Sequence, residues 1–366
     1  MKVNYVLHGL KLTGGVRVIV EIANRLAERG HQVSVTAVGR LSDLAWFENP
    51  KFKVYLVHDP YWKKVVRRGL KLIKYDYDLA ATVMRRLAET IPAYCEINVA
   101  THCFTAFAVH RSGKGIPFYH MQHYEPLFYE YDPYYQKVAM ESYLLPLNRI
   151  ANSRWLQQQL LDKHNIKCVE LVHPAIDHTI FKPPVTPARR GNGQVTVLSL
   201  GKPDPIKGFR DALAAMRIVQ SKYSNVDFVV FGTNPNLPVE KGVQYRFVKS
   251  PVNEELARLY QQADILISAS WYESFPLPPL EAMACGTAVV TTRFGTEDYA
   301  FDRQNCLVVP PRAPERLADA VCELIEDEQL RHSLASEGIE TARKFTWEKT
   351  VDKVERLFSK YIDASH

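Results

Sequence analysis

Residues 263–290 read ADILISASWYESFPLPPLEAMACGTAVV, and this stretch decides the fold. The apolar runs at 265–269 and 288–292 each predict a buried strand. Between them, a short helix is expected to begin at the prolines 278–279, where proline is favoured, and to end at Gly286. A strand, a helix and a second strand in this order are typical of a parallel sheet with crossover helices.

The first forty residues form one unit of the same kind. The apolar run at 3–7 predicts a strand, and 10–15 predicts a loop that ends in two glycines. Apolar residues then recur at helical spacing up to Gly30, which is expected to end the helix, and 32–38 predicts the next strand. Further strand-like runs, with helical patterns between several of them, continue the parallel-sheet pattern through 169–172.

A proline- and glycine-rich break at 182–193 divides the chain. It lacks apolar periodicity and therefore predicts a linker, and the alternation restarts after it with a strand at 195–200. We expect an α/β protein with two Rossmann-like domains that face each other across a cleft. Because ligands of such folds bind beyond the carboxyl ends of the parallel strands, the cleft is the expected site.

The expected domain boundaries follow from this break. They are an N-terminal domain at 1–182, a linker at 183–194, a C-terminal domain at 195–345 and a final helical segment at 346–366. Val351, Val354, Phe358 and Tyr361 share one face of the final helix. By itself, this amphipathic pattern predicts only that the helix packs on a core.

Composition excludes several classes of protein. The 366 residues are 46% hydrophobic and 23% charged, as in ordinary globular proteins, and no run of about 18 apolar residues predicts a transmembrane helix. The first residues lack signal-peptide features, so we expect a cytoplasmic protein. The net charge of +6 suits an anionic small molecule or membrane surface and is too diffuse to indicate nucleic acid. Six scattered cysteines without zinc-site spacing predict reduced thiols and no metal centre.

Glu273 and Glu281 bracket the start of the helix predicted in the opening stretch. The N-terminus of a helix presents N–H groups and a positive dipole, which suit a diphosphate. A carboxylate can also accept hydrogen bonds from the paired hydroxyls of a polyhydroxylated ligand. The alternative is that each glutamate only caps or solvates the helix start, which is the usual role of an isolated glutamate there.

Gly201, Lys202 and Lys207 lie in the segment GKPDPIKG, which directly follows the strand at 195–200. Two cations beyond the end of a strand suit a diphosphate whose negative charge grows as a bond to it breaks. Lysine acts there as a point charge, without the bidentate fork of arginine. Two solvated surface lysines are the alternative, which their position after the strand disfavours.

The stretch 263–290 closely resembles the EX7E region of family 4 retaining glycosyltransferases with the GT-B fold. In that family the first glutamate touches the donor sugar and the second binds the nucleotide ribose, and these roles fall on Glu273 and Glu281. The segment 201–208 resembles the family's Gly-Arg…Lys-Gly motif, with Lys202 in place of the usual arginine. The resemblance implies that the C-terminal domain binds the donor, that the N-terminal domain binds the acceptor, and that the last helix crosses back onto the N-terminal domain.

The resemblance also implies the residues that bind the donor. Lys202 and Lys207 would stabilise the departing diphosphate. The donor-binding residues expected besides them are Gly14, Gly15, Gly201, Ser274, Phe275, Leu277 and Glu281. The first two of these glycines fall in the family's N-terminal glycine-rich loop. Prolines stand between the two glutamates where relatives often have glycine, and because proline lacks an N–H, Phe275 and Leu277 are the expected amide donors.

Three histidines, His102, His120 and His123, lie at or near predicted strand ends. A lone histidine at such a place is more often structural than catalytic. By the resemblance, His123 is the histidine beside the reacting sugar, with His102 as the second choice. We expect His102, His120 and Glu125 on the acceptor side. The segment MQHYEP at 121–126 also resembles a subgroup that includes bacterial rhamnosyltransferases.

The implied reaction is transfer of a sugar, with retained anomeric configuration, from a nucleoside-diphosphate sugar. The acceptor would be a saccharide or a lipid-linked molecule in the synthesis of bacterial polysaccharide or glycoconjugate. No Asp-x-Asp motif has a suitable setting, so neither a metal nor another cofactor is expected. The segment Tyr61–Lys74 is basic with interleaved apolar residues, which fits either peripheral contact with the membrane or an anionic acceptor, or a solvated cationic segment.

Two other functions are compatible with the same residues. A sugar-nucleotide epimerase has this two-domain fold and would convert the donor without an acceptor. A non-catalytic subunit that binds a sugar nucleotide is the second alternative. A nicotinamide-dependent oxidoreductase is disfavoured, because no G-x-G-x-x-G motif follows the first strand.

Overall fold

The computed structural model describes residues 1–57, 76–185 and 193–365, with the backbone alone at 76–80. The chain forms two compact units, and each unit has its own sheet. Unit 1 comprises Met1–His173 and Glu348–His366, and unit 2 comprises Pro174–Trp347.

Strands and helices alternate through both units. The strands are β1 (Lys2–Leu7), β2 (Gln32–Val38), β3 (Lys53–Val57), β4 (Ile97–Ala100), β5 (Ile116–Met121), β6 (Asn148–Ala151), β7 (Glu170–Leu171), β8 (Val195–Leu200), β9 (Val226–Gly232), β10 (Arg246–Lys249), β11 (Ile265–Ser268), β12 (Ala288–Thr292) and β13 (Leu307–Val309). The helices are α1 (Gly14–Glu28), α2 (Asp76–Thr90), α3 (Cys103–Ser112), α4 (Pro133–Leu144), α5 (Arg154–His164), α6 (Phe209–Lys222), α7 (Asn253–Gln262), α8 (Leu277–Ala284), α9 (Pro314–Glu326), α10 (Glu328–Ala342) and α11 (Trp347–Asp363).

Both sheets are parallel and have the strand order of open α/β folds. In unit 1 the order is β3-β2-β1-β4-β5-β6-β7, and in unit 2 it is β10-β9-β8-β11-β12-β13. Each described pair of neighbouring strands runs parallel. The carboxyl ends of all strands in a sheet therefore lie along one edge, and the order reverses direction beside β1 in unit 1 and beside β8 in unit 2.

The start of unit 1 differs in one detail from the sequence prediction. The Oγ1 of Thr13 accepts a hydrogen bond from the N–H of Val16 at 3.3 Å, so Thr13 is the N-cap of α1. Gly14 and Gly15 consequently form the first turn of the helix and do not belong to the loop before it. A Cβ atom on Gly15 would lie 3.2 Å from Cβ of Gln122, which places the start of α1 against the segment that follows β5.

Unit 1 contains a buried polar network that joins three neighbouring strands. Asn4 on β1 donates from Nδ2 to Oδ1 of Asn98 on β4 at 3.0 Å. Its own Oδ1 accepts from the hydroxyls of Ser34 and Thr36 on β2, each at 3.0 Å. These hydrogen bonds satisfy polar groups that would be costly to bury alone, so the network fixes the register of β1 between its neighbours.

The C-terminal helix α11 supplies part of the core of unit 1. Phe358, which is fully buried, packs against Phe118 of β5 with ring centroids 5.0 Å apart. Tyr361 meets the same Phe118 ring edge-on, also at 5.0 Å. At the other end of the helix, Nη1 of Arg29 lies 2.7 Å from Oδ1 of Asp352. The amphipathic face predicted for this helix is thus the face that covers the unit 1 sheet.

Replacement of Val354 by alanine should lower the stability of unit 1 by about 2 kcal/mol, because it removes two fully buried methyl groups and leaves a cavity. Hydrogen exchange of the β1, β4 and β5 amides measures this loss. Lys353→Ala, on the exposed face of the same helix, is the matched control and should change exchange little. Equal effects of the two variants would contradict the packing role of α11.

Alternate residues of the unit 2 strands contact two separate hydrophobic cores. Val197 of β8 and Ile267 of β11 belong to the core that includes α6 and α9. Leu198 and Leu266, their neighbours in sequence, belong to the core that includes α7 and α8. Because both faces of the sheet are covered, these strands have apolar residues on both faces and do not alternate strictly between apolar and polar residues.

Unit 2 begins earlier than the domain boundary expected from the sequence. Ile176 and Phe181 are buried in the same core as α7 and α8. The N–H of Ile176 also donates to the carbonyl of Phe345, near the end of unit 2, at 3.4 Å. The segment 174–181 therefore packs with unit 2, although it precedes the proline-rich stretch. Of that stretch, 186–192 lies outside the described residues.

Two further observations bear on membrane contact and cysteine chemistry. No helix within the described ranges is both long enough and apolar enough to cross a bilayer. The basic segment Tyr61–Lys74 falls between the described ranges, so its contact with a membrane stays a prediction. All six cysteines are free thiols, and Cys168 is the exposed one.

Candidate functional site

The predicted donor-site residues of unit 2 follow two neighbouring strands. β8 pairs with β11 in the sheet, and both point their carboxyl ends to the same edge. The segment with Gly201, Lys202 and Lys207 comes directly after β8, and the segment with Glu273 comes directly after β11. Residues that are about seventy positions apart in sequence are thereby brought into contact.

Lys207 and Glu273 form an ion pair at this edge. The Nζ of Lys207 lies 2.8 Å from Oε1 and 2.9 Å from Oε2 of Glu273, so the ammonium group bonds both carboxylate oxygens. The hydroxyl of Ser270 also donates to Oε1 of Glu273 at 3.0 Å. Both charged side chains retain 17% exposure, which leaves the pair within reach of a ligand.

Lys202 adds a second cation beside this pair. Burial lowers the pKa of Lys202, the positive charge of Lys207 lowers it further, and the carboxylate of Glu273 partly opposes both effects. A cation that is crowded by another cation gains stability when an anion binds next to it. The three side chains together carry one net positive charge, which suits a phosphate-containing ligand.

The two segments approach each other so closely that only glycine fits at position 208. Gly208 has a φ of +63°, and a Cβ atom there would lie 1.8 Å from the carbonyl oxygen of Ala269. Next to it, the N–H of Trp271 donates to the carbonyl of Ile206 at 2.8 Å. This contact of backbone with backbone sets the separation between Lys207 and Glu273.

Trp271 anchors the same segment to the start of α6. Its indole Nε1–H donates to Oδ2 of Asp211 at 2.6 Å. The guanidinium of Arg312 lies 4.0 Å from the centroid of the Trp271 ring, which is the geometry of a cation–π contact. Trp271 and Ser270 were not predicted as supporting residues, although both lie within three positions of Glu273.

The main chain of Glu273 is held from its other side. Its N–H donates to the carbonyl of Phe294 at 3.2 Å. Gly295 has a φ of +88°, and a Cβ atom there would lie 2.2 Å from the carbonyl oxygen of Glu273. The turn after β12 therefore needs glycine at this position to let the glutamate segment pass. A single sequence contains no signal that separates this glycine from an ordinary turn residue.

Helix α8 begins one residue earlier than expected, at Leu277, so the prolines 278 and 279 are its second and third residues. The first N–H groups of a helix have no acceptor within the helix, and here proline removes two of them. Ser274 is buried, and the ring of Phe275 packs against Tyr299 with centroids 5.2 Å apart. The roles of Ser274, Phe275 and Leu277 as donor contacts stay predictions.

Glu281 lies on α8 and is 4% exposed. The hydroxyl of Tyr260, on the neighbouring helix α7, donates to Oε2 of Glu281 at 3.1 Å. A carboxylate with two oxygens can accept several hydrogen bonds, so this contact is compatible with a second bond to a ligand. Tyr260 was not predicted as a site residue, because a tyrosine on the apolar face of an amphipathic helix is typical of a core residue.

In unit 1, His123 is largely buried in the segment after β5. Its Nδ1–H donates to the carbonyl of Tyr124 at 3.1 Å, so in the neutral ring Nε2 carries the lone pair. The ring packs against Phe128, with centroids 4.2 Å apart, and against Trp155. In the neutral tautomer set by the bond to Tyr124, the Nε2 atom of His123 can accept a hydrogen bond from a hydroxyl group.

His102 and Glu125 belong to one network at the start of α3. The Nδ1 of His102 accepts from the N–H of Phe104 at 3.3 Å, so the ring proton lies on Nε2, which is 3.4 Å from Oε2 of Glu125. Glu125 is 2% exposed and also accepts from the N–H of Cys103 and the hydroxyl of Tyr119, each at 2.8 Å. Both residues thus hold α3 and the segment after β5 together, and their contact with an acceptor stays a prediction.

The same three side chains, His102, Cys103 and Glu125, form the metal-ligand-like group found among the described residues, with donor atoms within 4.8 Å of one another. Burial raises the pKa of the Cys103 thiol far above its usual range, and the charge of Glu125 adds to the effect. The hydrogen bonds of the network account for the proximity of the three side chains.

His120 lies inside unit 1 on β5 and is 1% exposed. Burial lowers its pKa to about 3, so the ring is neutral at physiological pH. Its two ring nitrogens have no hydrogen-bond partner among the described residues. A contact of His120 with an acceptor stays a prediction, as do the donor contacts of Gly14 and Gly15.

Two family models match the chain, one for each unit. The model described as "Glycosyltransferase Family 4" matches residues 12–180, and the model described as "Glycosyl transferases group 1" matches residues 194–327. Between them they leave unmatched only the two ends and 181–193. The chain belongs to the family 4 glycosyltransferases. The family resemblance expected from the sequence is therefore confirmed.

Curated relatives of this chain include the "O-antigen biosynthesis protein RfbC" of Myxococcus xanthus, which is 28% identical over 75% of the chain and 22% of that protein. The "D-inositol 3-phosphate glycosyltransferase" of Mycobacteroides abscessus is 30% identical over 58% of the chain and 52% of that protein. The chain thus spans between about a fifth and about half of the length of these relatives.

Solved structures confirm the GT-B fold class. A sucrose-phosphate synthase from Thermosynechococcus elongatus matches with a TM-score of 0.80 and 17% identity over the whole of both chains. HepE from Anabaena in complex with UDP-glucose matches with a TM-score of 0.76 and 16% identity over 98% of this chain and all of that chain. At these identities the comparison establishes the fold of the chain and nothing further.

Proposed function

We propose that this protein transfers a sugar, with retained anomeric configuration, from a nucleoside-diphosphate sugar to a saccharide or lipid-linked acceptor. The observation that carries the proposal is the contact of Lys207 with Glu273, beside Lys202, at the carboxyl edge of the unit 2 sheet. Two cations and a carboxylate at this edge suit a ligand that combines a diphosphate with a hydroxyl-rich sugar.

Each side chain of this group has a separate part in the proposed reaction. When the bond between the anomeric carbon and the diphosphate oxygen breaks, the departing diphosphate gains negative charge. Lys202 and Lys207 would stabilise that charge, and a cation aimed at developing charge accelerates a reaction strongly. Glu273 would accept hydrogen bonds from hydroxyls of the donor sugar, and Glu281 from the ribose hydroxyls of the nucleotide.

The residues of unit 1 would act on the sugar and the acceptor. His123 would contact the sugar or its leaving group, since the Nε2 lone pair accepts a hydrogen bond in the neutral ring. Gly14 and Gly15 open helix α1, where small residues let a ligand approach the backbone. His102, His120 and Glu125 are the acceptor-side candidates.

The relatives support a place for this reaction in glycan synthesis. RfbC is named for O-antigen biosynthesis, and the HepE structure contains UDP-glucose. A hexose donor and an acceptor in bacterial polysaccharide or glycoconjugate synthesis are therefore part of the proposal. Independence of metal is also part of it, because no Asp-x-Asp motif has a suitable setting in the sequence. We also propose that the protein acts in the cytoplasm, with peripheral contact to the membrane through Tyr61–Lys74.

A thermal-shift screen against nucleoside diphosphates and their sugars tests the donor. A ligand present at about 100 times its Kd adds about 2.7 kcal/mol of stability, which should raise Tm by roughly 5–10 °C. The sugar nucleotide that gives the largest shift is then incubated with the protein and a panel of acceptor saccharides and lipid-linked saccharides.

The products of that incubation separate the candidate functions. Free nucleoside diphosphate together with a glycosylated acceptor that keeps the donor's anomeric configuration supports the proposal. An isomeric sugar nucleotide would identify an epimerase instead. A thermal shift without turnover of the sugar nucleotide would identify a binding subunit, and the absence of a shift with every sugar nucleotide would refute the donor class.

A further inference from the structure

Tyr260 and Glu281 form a hydrogen bond in the interior of unit 2. The Tyr260 side chain is fully buried on α7, and its hydroxyl lies 3.1 Å from Oε2 of Glu281 on α8. The Glu281 carboxylate is itself on a side chain that is 4% exposed, so both partners of this hydrogen bond are buried. The pair therefore joins a core residue to a side chain with a proposed part in ligand binding.

The Tyr260 ring cannot shift easily, because it is held at its edges and at its backbone. It meets Phe231 edge-on with centroids 5.9 Å apart, and it packs against Phe181 at 6.1 Å. The hydroxyl of Thr287, which lies between α8 and β12, donates to the Tyr260 carbonyl at 2.6 Å. The position of the tyrosine oxygen is therefore fixed relative to α8.

A fixed donor on Oε2 restricts the carboxylate of Glu281. The last torsion of a glutamate side chain is broad and roughly two-fold, so an unrestrained carboxylate rotates freely. A charge-assisted hydrogen bond from a rigid donor selects one orientation of the carboxylate plane. Two neighbouring hydroxyl groups can then be bound without the cost of ordering the side chain.

We propose that Tyr260 is a positioning residue that orients the Glu281 carboxylate and thereby sets how strongly the protein distinguishes a ribonucleoside diphosphate from its deoxy analogue. The proposal rests on the ribose-binding role proposed for Glu281. Tyr260 does not touch the nucleotide itself. Its influence is confined to the sugar of the nucleotide, because the phosphates are assigned to the lysines after β8.

Tyr260→Phe in the full chain is the test, because it removes the hydroxyl and keeps the ring packing. Titration calorimetry with UDP, GDP and ADP first selects the diphosphate that binds most tightly. The Kd of that diphosphate and of its 2′-deoxy and 3′-deoxy analogues is then measured for each variant. The readout is the ratio of the deoxy Kd to the ribo Kd.

We expect Tyr260→Phe to bind the ribonucleoside diphosphate about tenfold more weakly, because the variant lacks the charge-assisted hydrogen bond from Tyr260 to Glu281. Binding of the deoxy analogue that lacks the hydroxyl held by Glu281 should change little. The Kd ratio should therefore fall by about tenfold. Tyr299→Phe is the matched control, since Tyr299 is also fully buried and donates to the carbonyl of Pro276 at 2.7 Å. Tyr299→Phe should lower the stability of unit 2 about as much as Tyr260→Phe does, and it should leave the ratio of the deoxy Kd to the ribo Kd unchanged.

Glu281→Gln separates failure of this inference from failure of the proposed function. If Glu281→Gln lowers the ratio and Tyr260→Phe leaves it at the wild-type value, Glu281 binds the ribose and the positioning role of Tyr260 is refuted. If Glu281→Gln leaves the ratio unchanged, the ribose-binding assignment of Glu281 fails, and the inference fails with it. A ratio lowered by both substitutions and unchanged by Tyr299→Phe supports the inference.

Discussion

Lys207→Ala is expected to lower the rate of sugar transfer by a factor of about 100 to 1,000. Removal of one preorganised group that stabilises developing negative charge has an effect of that size in other enzymes. Lys202 remains in the variant as the single cation of the group that faces the departing diphosphate. Burial lowers the pKa of this lysine. Release of nucleoside diphosphate from the sugar nucleotide selected by thermal shift, with the acceptor present, measures the rate.

The matched control is Lys222→Ala, which removes an exposed lysine from the last turn of α6 in the same unit. This variant should transfer sugar at the wild-type rate, because Lys222 is remote in sequence and structure from the β8 edge. Wild-type turnover by Lys207→Ala would contradict the role of Lys207. Loss of turnover in both variants would indicate that turnover depends on the overall positive charge of the protein. That result would also contradict the specific role of Lys207.

Gly208→Ala should remove about 4 kcal/mol or more of stability from unit 2, and sugar transfer with it. The new Cβ atom would lie 1.8 Å from the carbonyl oxygen of Ala269, a distance that no adjustment of a side chain relieves. The segments after β8 and β11 would have to separate, which breaks the contact between Lys207 and Glu273. Thermal unfolding and the shift induced by the sugar nucleotide measure both effects.

Gly193→Ala isolates the contribution of backbone strain. Gly193 has a φ of +65°, close to the +63° of Gly208, but a Cβ atom on it would meet no other atom within 4 Å. Gly193→Ala should therefore lower the free energy of unfolding by only about 1 kcal/mol, the usual penalty for a non-glycine residue in the left-handed region. If the two alanine variants lose equal stability, the close approach at Ala269 does not hold the site together.

Much of the fold was predictable because buried parallel strands have a strong sequence signal. β8, β11 and β12 are mostly apolar and β-branched, and each was placed within about a residue of its observed bounds. The strands that escaped prediction are β3, β10 and β13, which are short or lie at a sheet edge. β10, for example, has a charged residue at each end and only two apolar residues between them.

The sequence predicted which segments lie at one edge of the unit 2 sheet, but it did not predict the contact between Lys207 and Glu273. Parallel topology alone predicts that the segments with Lys207 and Glu273 lie near one edge. Their direct contact depends on the close approach at Gly208 and on the bond from Trp271 to Asp211. Such pairings involve residues far apart in sequence, and no local pattern encodes them.

The roles of buried polar residues were least accessible from the sequence. Asn4 interrupts an apolar strand and gives no hint that it joins three strands through hydrogen bonds. Glu125 was predicted on the acceptor side, and nothing in the sequence indicated that its carboxylate accepts hydrogen bonds from α3 and β5. Tertiary packing determines the hydrogen-bond partners of a side chain. A sequence pattern can therefore indicate that a residue matters, but it does not predict which residues it contacts.

The return of α11 to unit 1 has a consequence for synthesis on the ribosome. The strands that α11 covers are translated first, whereas the helix that buries Phe118 is made only after all of unit 2. A nascent chain in which unit 2 has already emerged therefore still displays an uncovered apolar face on unit 1. Exposed apolar surface of this kind binds chaperones and promotes aggregation, so unit 1 is open to both until α11 has been made and packs on it.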